Sequence, residues 1–434
     1  MSVSACSSRW LPLAVILAAA PVPLGGNRPL AWAALAVALG MALLLAGRGP
    51  LPRRAWALAA GWLVVVGWAL LQAAPWTPAS WHHPLWAEVG GGGAVAVDPA
   101  QAVDGALRLL AYLAAFLLAV GAAARVEDAH RLLRVLAGAA ASIAAYGLVE
   151  HLGGFGRVLW WEKWTYHDSL TATFVNRNAA ATLFGFGLLC ATALLLERVP
   201  QGRLRWLPWA AVALCGAALL LTRSRAGVGA AVLGLVVLTV AVALARRPPA
   251  RRLWAGIAAG AGVAVVLAVA AGSGVAGRLA ASDLSTGDRA PVHAAAAAAI
   301  AERPWTGHGL GGFNRAFAAY RPPDLDQHWD KAHSSYLENA FELGVPVAAV
   351  MIGTLAMAAA VCGRGVAVRR RHRVYPALGL AALAQAAAHA TVDFTLQMPA
   401  NALWLAALAG IGVAQSIPTR AATVSSAGPD SARR

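Results

Sequence analysis

The sequence predicts an all-α polytopic membrane protein: about twelve transmembrane helices with a small helical cap on one face. Three observations carry that expectation. Of its 434 residues, 59% are hydrophobic and only 12% charged, with a mean hydropathy of +0.62, far from the profile of a water-soluble domain. Apolar runs of roughly 17 to 22 residues, enough to cross about 30 Å of hydrocarbon, recur along the chain. Between them, loops alternate between arginine-rich and arginine-poor, as expected when basic residues stay on the cytoplasmic side.

The predicted spans lie at 10–25, 29–47, 55–74, 103–123, 134–150, 179–197, 207–222, 226–245, 254–274, 344–361, 377–392 and 400–416. The first follows a weakly basic start and runs into the second without a convincing cleavage site, so it reads as a retained helix. Basic clusters at Arg48, Arg53 and Arg54, at Arg125, Arg131 and Arg134, at Arg198, Arg203 and Arg205, at Arg246 to Arg252, and at Arg364 to Arg373 mark the cytoplasmic loops. The formal net charge of +16 is therefore topogenic, and nucleic acid is not an expected partner. Cys6, Cys190, Cys215 and Cys362 fall in spans or on the cytoplasmic side and offer no exported disulfide framework.

Four regions follow: a transmembrane core over 1–275, a large polar loop over 276–343, the last three spans over 344–416, and a cytoplasmic tail over 417–434. The outward connections are 75–102, 151–178, the turn at 223–225, the loop 276–343, and 393–399. The large loop is the one polar island of the chain, and chemistry is expected there. Within it, 288–302 reads as an alanine-rich helix ended by Pro304, 314–320 as a second ended by Pro322 and Pro323, and 333–343 as a third feeding the next span.

Gly307, Gly309 and Gly312 fit G-x-G-x-x-G, but no strand precedes them, and the reading is a turn that brings backbone close to a neighbour. Arg223 and Arg225 sit in a tight outward turn between two apolar spans, where topology does not favour arginine. They either reach lipid phosphates or bind a phosphorylated substrate, because guanidinium donors match phosphate oxygens. Arg289 adds a third cation on that face. Asn176, Arg177 and Asn178 precede a span as either a helix cap or contacts to sugar and phosphate.

His333, at the start of a helix, is a candidate general base. Glu338 and Glu342, one helical turn apart, are the alternative base. Asp324, Asp326, His328, Asp330 and His333 are a weaker candidate for a metal site, and no metal or cofactor is expected. His389 and Asp393, near the outer end of the eleventh span, are expected to pair with each other.

The ordered motifs FVNRN at 174–178, LTRSRAG at 221–227, GDR at 287–289, RPWTGHGLGGF at 303–313 and AHSSYLENAFELGVPVA at 332–348 resemble the bacterial O-antigen ligase family, over roughly residues 10–415. That family comprises O-antigen ligases, O-antigen polymerases and protein O-oligosaccharyltransferases. The resemblance implies a C-type glycosyltransferase in the bacterial inner membrane with its active site facing the periplasm. It implies an undecaprenyl-diphosphate-linked glycan as donor and a glycan or lipid A core hydroxyl as acceptor. By the same resemblance Arg223, Arg225 and Arg289 hold the diphosphate and His333 assists the acceptor, with neither nucleotide sugar nor metal required. Two departures stand out: Ser334 follows the histidine where the family often has Asn, and Ala179 follows the NRN motif where a bulky residue or histidine is common. A transporter is the rival reading, but transporters place ionisable groups near the midplane on broken helices, whereas here they gather at outer helix ends and in one loop.

Overall fold

The structure is a computed structural model that describes residues 10–46, 51–90, 92–197, 205–245, 289–323 and 329–416. It is all-helical apart from one small hairpin. The helices are α1 (Trp10–Ala19), α2 (Pro29–Leu45), α3 (Arg53–Ala73), α4 (Leu85–Val89), α5 (Pro99–Ala122), α6 (Val126–Leu152), α7 (Arg177–Glu197), α8 (Leu207–Leu221) and α9 (Arg225–Ala245). After the hiatus come α10 (Arg289–Glu302), α11 (Phe313–Phe317), α12 (Ser335–Leu343), α13 (Val345–Val368), α14 (Val374–Ala390) and α15 (Pro399–Gln415). The hairpin pairs β1 (Arg157–Val158) with β2 (Trp161–Glu162).

Among the described residues six helices, α3, α5, α6, α7, α9 and α13, are long and apolar enough to cross a membrane, and the chain is a polytopic membrane protein. Each other predicted span among the described residues is also helical but shorter, 10 to 17 residues, and the predicted span 254–274 lies outside the described residues. Two boundaries differ from expectation for clear reasons. The first helix stops at Ala19 rather than near 25, because Pro21 and Pro23 cannot continue it and Gly25 turns at φ 69°. Conversely, α6 begins at Val126, eight residues early, with Glu127 and Asp128 at its positive end and Arg131 bonded to Asp128 at 2.9 Å.

α7 is the centre of the bundle, buried along almost its whole length against α6, α8, α9 and α14. Its neighbours are tied by polar stitches that a bilayer interior makes obligatory. Gln385 donates to the carbonyl of Thr182 at 3.1 Å, Asn401 to that of Ala179 at 3.0 Å, and Trp404 to that of Leu17 at 2.8 Å. The two ends of the bundle differ in character. At one, His372 bonds Glu197 and Arg373 bonds the Ala245 carbonyl, gathering the ends of α7 and α9 with the start of α14 among the arginines. At the other, Asn178, Ser224 and Asp393 meet.

Over that second end lies the cap. α10, α11 and α12 enclose a small core of their own, including Val292, Ala296, Phe313, Phe317, Ala332 and Phe341. Buried Gln72, at the end of α3, locks it down: its amide donates to the carbonyls of Thr306 and Glu342, both at 2.8 Å, and its oxygen accepts from Leu310 N at 3.2 Å. The Gly-rich turn is the close approach expected of it. Gly307 has φ 65°, and a Cβ there would stand 2.4 Å from the Glu342 carbonyl, a space only glycine leaves open.

A chain of neutral imidazoles joins loop 74–98 to the cap. Leu85 N–H donates to His83 Nδ1, His83 Nε2–H to His308 Nδ1 at 2.9 Å, and His308 Nε2–H to the Ala299 carbonyl. Burial first, then His308 and Arg303, hold His83 down to about 3, and burial chiefly holds His308 down to about 4. Both groups are depressed in the folded state, so the unfolded chain binds more protons as pH drops below about 6.5. Thermal stability in detergent is therefore expected to be flat above neutral pH and to fall steadily from about pH 6.5 towards 4. Replacing both residues by Phe should flatten that slope; an unchanged slope contradicts the assignment.

Candidate functional site

Four segments converge where the cap meets the bundle. The first is the start of α7. Asn176 caps it, its side-chain oxygen accepting from Asn178 N at 2.7 Å and Ala179 N at 3.2 Å. Asn178 points inward: its amide donates to the Asp393 carboxylate, and its oxygen accepts from Ser224 Oγ at 2.7 Å. Arg177 stacks over Tyr166, 5.3 Å from the ring centre, and reaches within 3.5 Å of Ser169 Oγ.

The second segment is the turn between α8 and α9. Buried Ser224 caps α9 through Gly227 N at 3.1 Å, and Arg223, at φ 55°, turns outward on one side with exposed Arg225 on the other. Arg223 lies within electrostatic reach of His151 at the end of α6. The third segment is the start of α10, where Arg289 donates to the Val392 carbonyl at 3.0 Å and has no acidic partner among the described residues. That bond joins the cap directly to the end of α14.

The fourth segment carries His333, also left-handed at φ 53°. Its conformation is clamped from both sides. Glu338 accepts from Ala332 N at 3.0 Å and from Lys331 Nζ at 3.2 Å, His293 bonds the Ala332 carbonyl at 3.0 Å, and Ser334 caps α12. The imidazole sits edge-on between Trp329 and Phe394, with Nδ1 3.9 Å from Asp393 Oδ2. That separation is beyond a hydrogen bond, and Nδ1 is buried with no hydrogen-bond partner among the described residues, so Asp393 is the carboxylate that stands beside it. With the Nδ1 proton turned to Asp393, Nε2 presents a lone pair.

Asn178 and His333 meet at Asp393, Arg177 and Arg289 stand within electrostatic reach of neighbouring Tyr166, Asn176 caps the same helix start, and Ser224 ties the Arg223–Arg225 turn to this polar cluster, the recess. Glu338 does not face the recess: it is fully buried and engaged with Lys331 and Ala332. Glu342 is buried beside it and pushed up to about 7 by burial and by Glu338, with Lys331 opposing. His389 and Asp393 share no hydrogen bond. His389 faces Thr182 at 2.8 Å, whereas Asp393 takes Asn178 and Phe394 N. Of the suggested metal cluster, Asp324, Asp326 and His328 lie outside the described residues.

Of the recess residues, Tyr166 has no reading in the sequence and Asp393 only one as a partner of His389. Asp393, 2% exposed, is the hub of the recess; the signal was a carboxylate at the end of a span with no basic neighbour in sequence. Tyr166 lies within electrostatic reach of Arg177, Asp393, Arg289 and Asp330, and burial raises its hydroxyl pKa. On the far side of α12 a cavity of about 490 Å³ runs down between α3, α5, α13, α14 and α15. Its walls are mostly apolar, with Gln101, Arg108, Lys331, Asn339, Glu342 and Gln397 among them, and Ser335, which also lines it, bonds the Asp393 carbonyl at 2.9 Å.

The arrangement offers cations for a phosphorylated group, an imidazole backed by a carboxylate, and an apolar channel. Residues 210–352 match the family model described as O-antigen ligase. The matched stretch contains Arg223, Arg225, Arg289 and His333, and ends before Asp393. Among curated proteins no match is found.

Proposed function

We propose that the chain is a glycosyltransferase moving a glycan from an undecaprenyl-diphosphate donor to an acceptor hydroxyl, a reading supported by the match of residues 210–352 to the O-antigen ligase family model. In this reading about twelve helices span the bacterial inner membrane, the arginine-rich end faces the cytoplasm, and the cap faces the periplasm. The carrying observation is the convergence of Arg177, Arg289 and His333 with Asp393 on one recess.

The acceptor oxygen attacks the anomeric carbon in line with the departing diphosphate. His333 Nε2 takes the hydroxyl proton, Asp393 holds the imidazole and offsets the charge it gains, and the sugar–oxygen bond to the diphosphate breaks. The electron pair leaves on the diphosphate, whose growing charge is met by Arg289 and Arg177, with Arg223 and Arg225 at the rim. The apolar cavity beside α12 takes the hydrocarbon chain of a lipid substrate.

A strain lacking the protein tests this reading through its surface glycan and its extracted lipid-linked pool. Full-length chains on undecaprenyl diphosphate with an uncapped acceptor identify a ligase, and single repeat units identify a polymerase. A missing protein-bound glycan identifies a protein O-oligosaccharyltransferase, and an unchanged profile returns the transporter reading.

A further inference from the structure

The connection between α6 and α7 carries an exposed aromatic arm whose partner the fold leaves open. α6 ends with Val149 and Leu152 facing outward, and the chain turns through Gly154 (φ 66°) and Gly156 (φ 63°) into the hairpin. Trp161 pairs with Val158 across the hairpin, Leu159 at φ 58° makes the tip, and Trp160 and Trp161 pack at 4.7 Å between ring centres. Trp160 is 71% exposed, and Phe155 and Trp164 are exposed beside it. The arm is nonetheless rigid in design: Val158 is buried, Leu159 N donates to Tyr146 Oη at 2.6 Å, and Arg157 N donates to Glu150 at 2.9 Å.

We propose that this hairpin is an interfacial anchor, seated in the leaflet on the side of the recess. Three features select a lipid surface. The apolar face is continuous with Val149 and Leu152 on α6, a helix long and apolar enough to span the membrane. Tryptophan, an apolar ring with one polar N–H, favours the head-group boundary. A cation sits at the rim, with Arg28, just before α2, stacked 5.9 Å from the Trp164 ring centre.

The base of the arm leads into the recess. Lys163 Nζ donates to the Ser169 carbonyl at 2.6 Å, Ser169 Oγ lies within reach of Arg177, and Leu170 N donates to the Leu221 carbonyl, two residues before Arg223. Anchoring the hairpin at head-group depth therefore sets the arginine turn at the level of lipid phosphates and lets a lipid-linked phosphate arrive sideways from the leaflet. The anchor itself stands without the glycosyl-transfer reading; the sideways arrival rests on it.

The test is a fluorophore on Trp160→Cys in a Cys6→Ser background of the full chain, where Cys190, Cys215 and Cys362 are buried. The protein is placed in vesicles of phosphatidylethanolamine and phosphatidylglycerol. Quenching by nitroxide lipids labelled near the head group, with shielding from aqueous iodide, is the expected result. Quenching by iodide alone overturns the proposal, as does protection that appears only when soluble glycan is added, which would mark a sugar platform instead. A second variant reads the consequence. Trp160→Ser with Trp161→Ser should raise KM for a lipid-diphosphate donor in vesicles about tenfold at unchanged kcat, a step of about 1.4 kcal/mol. An unchanged KM overturns the sideways arrival. If wild type transfers nothing, the glycosyl-transfer reading fails while the quenching result still decides the anchor.

Discussion

Replacing Arg289 by alanine is expected to lower glycan transfer about 100-fold or more at unchanged membrane abundance. Preorganised donors aimed at developing charge are worth about 2.7 to 4 kcal/mol each, and in the proposed reaction Arg289 is the cation that meets the diphosphate oxygen gaining the electron pair. Among the described residues its one hydrogen bond is an exposed one to the Val392 carbonyl, so its loss leaves no buried group there unpaired. Arg289→Lys should recover only part of the rate, since a point charge replaces forked donors. Transfer, measured as product per protein in isolated membranes, checks this; a normal rate in the alanine variant removes Arg289 from the site.

The second large effect is at the imidazole. His333→Ala is expected to cost on the order of 100- to 10,000-fold in kcat, the usual range for a positioned proton acceptor. Asp393→Asn should lower kcat as well while leaving the donor KM near wild type, because Asp393 acts through His333 and touches no substrate. Asp393 accepts from Asn178 through Oδ2 and from Phe394 N through Oδ1, so Asn, with one acceptor oxygen, keeps only one of these two contacts, and membrane abundance is measured alongside kcat. A variant that loses protein from the membrane instead would show Asp393 to be structural only.

Much of the architecture was legible because the bilayer imposes a coarse rule that single residues cannot hide. Span-length apolar runs and alternating arginines mark helices and ends, and the same logic put chemistry on the arginine-poor side. Helix ends were less legible. Pro21 cuts α1 short, and the arginines of α6 belong to its first turns because Glu127 and Asp128 let the helix start early.

The site was legible by motif and not by pairing. His333, Arg289 and the NRN segment carry recognisable residue types. In the sequence Asp393 reads as a partner of His389, since both lie near the outer end of the eleventh predicted span. In the fold α14 ends between them, so His389 turns to Thr182 on α7 and Asp393 to the recess. No local spacing reveals that contact, since 60 positions and two whole spans separate His333 from Asp393. Glu338 misleads for the opposite reason: its place on α12 beside the histidine suggested chemistry, but the helix turns it inward onto Lys331.

The central claim is that this chain transfers glycan from a lipid diphosphate at the His333 recess. Its most direct test is purified protein in vesicles containing undecaprenyl-diphosphate-linked glycan and an acceptor, followed by release of undecaprenyl diphosphate. The account predicts release coupled one to one with acceptor glycosylation in wild type, and neither in His333→Ala or Arg289→Ala. Equal turnover in those variants, or no turnover in wild type supplied with its native donor and acceptor, would contradict it.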